Sequence, residues 1–260
     1  MLGCRAAEYI PIMLEAADRH SYFSVLISLA RRLDDAHIFI AGRPTHVLEP
    51  HDIRDITSSH VLLENNIGLI NPSEHVFSWG ETKYIMDAFA NTDGLIIDLR
   101  QYPCFSIVRE LAEYIVEEPM IFALLSQPDP SRPGLFMYKQ PEYSGGITSP
   151  YAFIYDRPVV ILMNRSTMSR GEFAVMSLRN GKNVTVIGSN SIGANGNAAF
   201  LPLHGGETMM FTGLGVFTPE GGQTHRIGLA PDIYIVPTAE GIQEGRDELM
   251  EAANMYILTR

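Results

Sequence analysis

Cysteine is nearly absent from this 260-residue chain, which has only Cys4 and Cys104. Two thiols cannot build a disulfide framework or a four-thiolate zinc site. Positive charge is also scarce: 19 Lys and Arg stand against 30 Asp and Glu, for a formal net charge of −11. An acidic surface repels phosphate backbones, which argues against a nucleic-acid partner. No apolar run reaches the roughly 18–20 residues a membrane span needs. The start, Met1-Leu2-Gly3-Cys4, offers neither a basic n-region nor an apolar h-region, so no signal sequence is visible. Leu2-Gly3-Cys4 matches the end of a lipoprotein cleavage box. Nothing hydrophobic precedes it, and we read the match as coincidence.

What is present suits a folded core. Hydrophobic residues make up 46%, charged residues 19%, and mean hydropathy is +0.04. A chain of this length can bury one large domain, or one domain plus a smaller piece. Apolar positions at helical spacing over residues 8–33 predict two helices broken near His20-Ser21, with Ser21 as the second N-cap. A connector follows over 34–66, with short strands expected at 37–40 and 61–63. From residue 67 the texture changes. Continuous apolar runs at 67–70, 94–99, 159–163 and 184–188 predict strands buried on both faces. Helices are expected over 80–90, 105–117 and 170–179. This alternation implies crossover units, a largely parallel sheet and an α/β fold. Two antiparallel strands, at 198–203 and 207–217, and a helix over 241–258 complete the expectation. We divide the chain into an amino-terminal helical segment with its connector, 1–60, and a core, 61–260.

The most informative stretch is Asn164-Arg165-Ser166-Thr167-Met168-Ser169-Arg170-Gly171-Glu172-Phe173. It follows a buried strand and opens a helix. Such a turn lies at the carboxyl edge of the sheet, where clefts form. The first N–H groups of the helix lack internal partners and can stabilise an oxyanion. Ser169 is therefore a candidate nucleophile, with its own N–H or that of Arg170 as a donor. The alternative is that Ser166, Thr167 or Ser169 only caps the helix.

Asp93-Gly94-Leu95-Ile96-Ile97-Asp98-Leu99-Arg100, Pro158–Asn164, Thr167–Glu172, Val186-Ile187-Gly188 and Gly228-Leu229-Ala230-Pro231-Asp232 occur in an order and spacing that resembles the S41 serine peptidases. That family includes the tail-specific, or C-terminal processing, proteases and the tricorn core protease. The resemblance covers about residues 61–258 and implies a ClpP/crotonase-like β-β-α superhelix. It also implies hydrolysis of peptide or protein substrates without a cofactor. It places the nucleophile at Ser169 and makes Glu172 a group that orients the site, against the alternative of a favourable charge in the first helical turn. It implies an extracytoplasmic location and leaves a homo-oligomer open. The stretch between His37 and Val61 is too short for the PDZ domain the family commonly carries, since domains need at least about 50 residues.

The base departs from one branch of the family. The processing proteases use a Lys in a turn that here reads Ser191-Ile192-Gly193-Ala194-Asn195-Gly196, and Ala194 cannot accept a proton. The tricorn-like branch uses a Ser-His-Ser-Glu tetrad with its His after an amino-terminal helix. Leu33–Ile40 resembles that segment and makes His37 the candidate base, an imidazole suited to the task at neutral pH. Ala36 stands where that tetrad has Ser, and no acid stands near Thr212-Gly213, where its Glu would align. Asp34 or Asp35 could orient His37. In place of a Gly-rich oxyanion turn the chain has Gln101-Tyr102-Pro103-Cys104. Pro103 has no N–H, so Tyr102 or Cys104 would donate.

His46, His51 and His60 with Asp52 and Asp55 lack the spacing of a zinc pair, and no metal is expected. Two readings compete. One is a serine peptidase acting by acyl transfer. The other is a catalytically degenerate S41-like module that binds peptides, as Ala194, Ala36 and Pro103 would suggest. An acyl-CoA enzyme on the related crotonase core is disfavoured, because no basic nucleotide cradle is visible.

Overall fold

The computed structural model describes residues 2–41, 58–73, 80–132, 134–147, 150 and 152–260. The chain divides into two compact units. One comprises Met1–Glu49 and Asn197–Leu214, the other Pro50–Gly196 and Gly215–Arg260.

The first unit opens with α1 (Leu2–Leu14) and α2 (Arg19–Ala30). The break between them falls before His20. Asp18 is the N-cap, its carboxylate accepting the Ser21 N–H at 2.7 Å. Ser21, expected as the cap, instead closes a capping box by accepting the Asp18 N–H at 3.1 Å. A carboxylate gains more than a hydroxyl from the positive end of a helix, which favours Asp18 as the cap. A 3-10 turn, Arg31–Leu33, leads to β1 (Phe39–Ala41).

The second unit carries β2 (His60–Leu62), β3 (Ile67–Ile70), α3 (Glu81–Phe89) and β4 (Gly94–Asp98). The helical run expected at 105–117 is interrupted at Leu111 into α4 (Ile107–Glu110) and α5 (Ala112–Ile115). Three strands that the sequence did not announce follow: β5 (Met120–Pro128), β6 (Phe136–Tyr138) and β7 (Glu142–Ser144). Then come β8 (Val159–Met163), α6 (Arg170–Leu178) and β9 (Val184–Gly188). After β10 (Ala198–Pro202) and β11 (Thr208–Thr212), which belong to the first unit, the chain returns as β12 (Gly215–Phe217) and β13 (Ile233–Tyr234). The helix expected at 241–258 forms as α7 (Ala239–Gln243) and α8 (Glu248–Leu258), separated by Gly245 in a left-handed turn and the N-cap Asp247.

The main sheet has six strands in the order β13-β9-β8-β4-β3-β2, parallel throughout except for β2. Every residue of β4 and β8 is buried, which is why both read as unbroken apolar runs. α8 covers one face, setting Leu249, Ala253 and Ile257 against Ile96, Val160, Leu162 and Ile187. The intervening residues Leu95, Ile97 and Ile161 alternate to the other face. β5 pairs antiparallel with β12, β6 and β7 in a separate small sheet.

In the first unit β11 pairs antiparallel with both β1 and β10. Residues 197–214 therefore go with the amino-terminal segment, although the sequence reading put them in the core. The single strand expected at 207–217 is two strands for the same reason: Thr212 ends in one sheet and Gly215 begins in another. Among the described residues no helix is long and apolar enough to cross a membrane.

Candidate functional site

Parallel pairing brings the carboxyl ends of β4, β8 and β9 to one edge of the main sheet, and three loops leave there: 99–105, 164–169 and 189–196. The middle loop is folded by its own side chains. Asn164 Oδ1 accepts the Ser166 N–H at 2.8 Å, and Thr167 Oγ1 accepts the Asn164 N–H at 3.1 Å. The same Thr167 hydroxyl donates to Leu99 O at 2.9 Å, tying this loop to the end of β4. The Ile192 N–H donates to Thr167 O at 3.1 Å, tying it to the third loop.

Ser169 is the N-cap of α6 and is half-buried, with φ 48° and ψ −113°. A side chain other than glycine is rarely found there, and such strain concentrates at functional turns. The Ser169 N–H donates to Glu172 Oε2 at 3.2 Å. Of the two donors offered by the sequence, Ser169's own N–H is thus occupied, and that of Arg170 remains the candidate on this side.

Glu172 is fully buried. Its Oε1 accepts the Ser191 hydroxyl and the Gly193 N–H, the latter at 2.9 Å. Ser191 Oγ in turn accepts the Leu229 N–H at 2.7 Å. Burial pushes the Glu172 carboxyl above its ordinary range, and the donors from Ser191, Gly193, Ser169 and Ala194 pull part of the way back. One carboxylate thereby fixes the backbone of Ser169 and the turn at 191–194. Gly193 is required in that turn. It has φ +81°, and a Cβ there would come within 2.9 Å of the Arg226 and Gly228 backbone. Ala194, in the same turn, is fully buried.

The 99–105 loop lies against the first turn of α6, where a Cβ on Gly171 would be 3.7 Å from Pro103 Cδ. The Cys104 N–H donates to Pro72 O at 2.6 Å, which removes it as an oxyanion donor. Tyr102 is then the expected donor that stays open on this loop. Its N–H has no partner among the described residues. The Arg170 guanidinium donates to Pro103 O at 2.9 Å and lies 4.9 Å from the centre of the Tyr102 ring. Below the loop, the buried Arg100 bonds Asp98 Oδ1 at 2.8 Å and Asp247 through two nitrogens at 2.8 and 3.0 Å. Burial alone would make Arg100 less basic, but the two carboxylates more than reverse that and raise it above its ordinary value.

His37 and Asp35 belong to the first unit. His37 is 5% exposed, in the turn before β1. Asp35 Oδ1 accepts the His37 backbone N–H at 2.9 Å, while Oδ2 accepts the Thr212 N–H at 2.7 Å. Asp35 reaches the ring through Thr212. The Thr212 hydroxyl donates to Asp35 Oδ1 at 2.7 Å and lies 2.8 Å from His37 Nδ1. A hydroxyl has one proton, and this one is given to the carboxylate. Thr212 Oγ1 therefore accepts from Nδ1–H, which directs Nε2 away from this chain of bonds. Sequence reasoning missed Thr212, noting only that no acid stood there. A hydroxyl bridge between residues 175 positions apart leaves no local signal. Of the expected non-metal cluster, His46, His51, Asp52 and Asp55 lie outside the described residues. His60 packs edge-on to Phe89, with Nδ1 3.1 Å from Ser59 Oγ.

Comparison with known proteins agrees with this architecture. A carboxy-terminal-processing protease of Bartonella bacilliformis is 28% identical over 80 residues, which are 31% of this chain but only 18% of that protease. Among solved structures, a protein of Parabacteroides merdae is similar at TM-score 0.77 and 21% identity, covering 93% of this chain and 84% of its own. Mature CPAF complexed with lactacystin follows at TM-score 0.58 and 16% identity, covering 74% and 51%. The tricorn protease is similar at TM-score 0.50 and 17% identity, covering 75% and 18%. At these identities the structural likeness speaks for the fold, a mixed α/β arrangement shared with proteases of this kind. The family model described as peptidase family S41 matches residues 67–235, a span that holds Tyr102, Ser169, Arg170 and Glu172. With motif order, sheet topology and family model in agreement, the chain belongs to peptidase family S41.

Proposed function

We propose that this protein is a serine-type peptidase that cleaves peptide or protein tails, with Ser169 as nucleophile and His37 as base. Ser169 Oγ attacks the scissile carbonyl carbon as its proton passes to His37 Nε2. The N–H groups of Arg170 and Tyr102 stabilise the oxyanion. The C–N bond then breaks, the imidazolium protonates the leaving amine, and water hydrolyses the acyl-enzyme by the same proton route. Glu172 and Asp35 act as positioning groups, the second through Thr212. An extended substrate can be read as an added strand at the cleft edge.

The observation that carries this reading over a peptide-binding module is the His37–Thr212–Asp35 chain. A module that only binds has no use for an imidazole whose Nδ1 is held by a hydroxyl that a carboxylate in turn orients. The test is reaction with a fluorophosphonate probe, followed by intact mass and peptide mapping. Labelling at Ser169 that is lost in Ser169→Ala and in His37→Ala supports the peptidase. Absence of labelling in the wild-type protein refutes it in favour of the binding module.

A further inference from the structure

The oxyanion side of the site departs from what its chemistry ordinarily requires. A loop that presents an N–H to a developing oxyanion must approach closely and stay fixed. Here the loop contains a bulky Tyr102 and a Pro103, so neither glycine nor a second donor helps. Its fixation comes from two directions. From the β3 side, Pro72 O holds the Cys104 N–H. From the α6 side, Arg170 donates from Nη1 to Pro103 O at 2.9 Å, and its guanidinium lies 4.9 Å from the Tyr102 ring centre and 5.5 Å from that of Phe105. A planar guanidinium can donate in its plane and stack through its faces, which an ammonium cannot do together.

We infer that the Arg170 side chain is a positioning residue that clamps the 102–105 loop and holds the Tyr102 N–H in register with Arg170's own N–H. The inference rests on the reading of Ser169 as nucleophile. Arg170 is the first residue of α6, directly after Ser169. Its backbone supplies one donor beside the nucleophile, and its side chain ties the second donor to the same helix end. The loop then needs no glycine, because the approach is set by the clamp.

The test uses the full chain and two p-nitrophenyl esters that differ only in carrying a carbonyl or a thiocarbonyl. Sulfur is a poor hydrogen-bond acceptor, so the ratio of the two kcat values reads the oxyanion donors. Losing a whole donor costs about 10²–10³-fold in kcat, and a misplaced donor costs less. Arg170→Ala is expected to lower the oxo-to-thiono ratio roughly tenfold, mostly through kcat and not KM. Arg170→Lys, which keeps charge and a donor but loses the stacking, should recover part of the ratio and guards against misfolding of the alanine variant. A ratio equal to wild type in both variants, or equal slowing of both esters, overturns the inference while acylation of Ser169 by the wild-type protein stands. If intact mass shows no acylation of Ser169 in the wild type, the nucleophile reading fails and takes the clamp with it.

Discussion

Replacing Thr212 with Val removes one hydroxyl and keeps the shape of the side chain. That hydroxyl bridges Asp35 to the His37 ring, through contacts of 2.8 Å and 2.7 Å. The Asp35 carboxylate keeps its bonds to the backbone N–H groups of His37 and Thr212, so the turn itself should persist. What is lost is the acceptor that holds the proton on Nδ1 of a ring that is almost wholly buried. A hydrogen bond in a charged chain contributes about 1.5–3 kcal/mol. At 1.36 kcal/mol per decade of rate, kcat should fall roughly 10- to 150-fold, with KM little changed. That is less than the ~10⁴-fold loss when the orienting carboxylate of a triad is neutralised, because here the acid acts through an intermediary. Steady-state hydrolysis of an activated ester measures it, and Thr212→Ser should restore most of the rate. A Thr212→Val protein with unchanged kcat would refute the claim that the bridge orients the base.

Three other perturbations follow from the geometry. Ser169→Gly should abolish labelling yet be more stable than Ser169→Ala by about 1 kcal/mol in urea titration, because glycine relieves the positive φ; equal stability would show that no strain is stored there. Glu172 binds its proton more tightly in the folded chain than in the unfolded one, so its contribution to stability is fully present below about pH 4.5 and declines as pH rises through the raised folded value. Relative to Glu172→Gln, the wild type should lose denaturant resistance over that interval, and a difference that grows with pH would contradict the shift. Asp98→Ala strands the buried Arg100 guanidinium beside a single remaining carboxylate and should cost about 3–5 kcal/mol in thermal or chemical unfolding; a loss under 1 kcal/mol would mean that Asp247 suffices.

The parallel core was the most legible part of the chain. Ile67–Ile70, Val159–Met163 and Val184–Gly188 form strands with the ends expected from their apolar runs, because short continuous apolar runs rich in β-branched residues favour buried strands over helices. β5 was not foreseen. Its burial runs from exposed Met120 through buried Phe122 and Ala123 to exposed Gln127, and it ends at a proline, so no clean alternation announces it. Ser169 and Glu172 could be picked out because the motif is local. Asp35 was named for its nearness to His37 in sequence, but its action through Thr212 depends on β1 pairing with β11, which local sequence cannot encode. The loss of Cys104 as a donor is likewise a tertiary effect, set by Pro72 across the loop.

The pairing of β1 with β11 also has a consequence for biosynthesis. Asp35 and His37 are made before the hydroxyl that joins them, which arrives 175 residues after the imidazole, later even than Ser169. A nascent chain that stops short of Thr212 contains Ser169 and His37 but lacks the hydroxyl bonded to the His37 ring. On the proposed reading, the base is held for catalysis only once β11 has been made and has paired with β1.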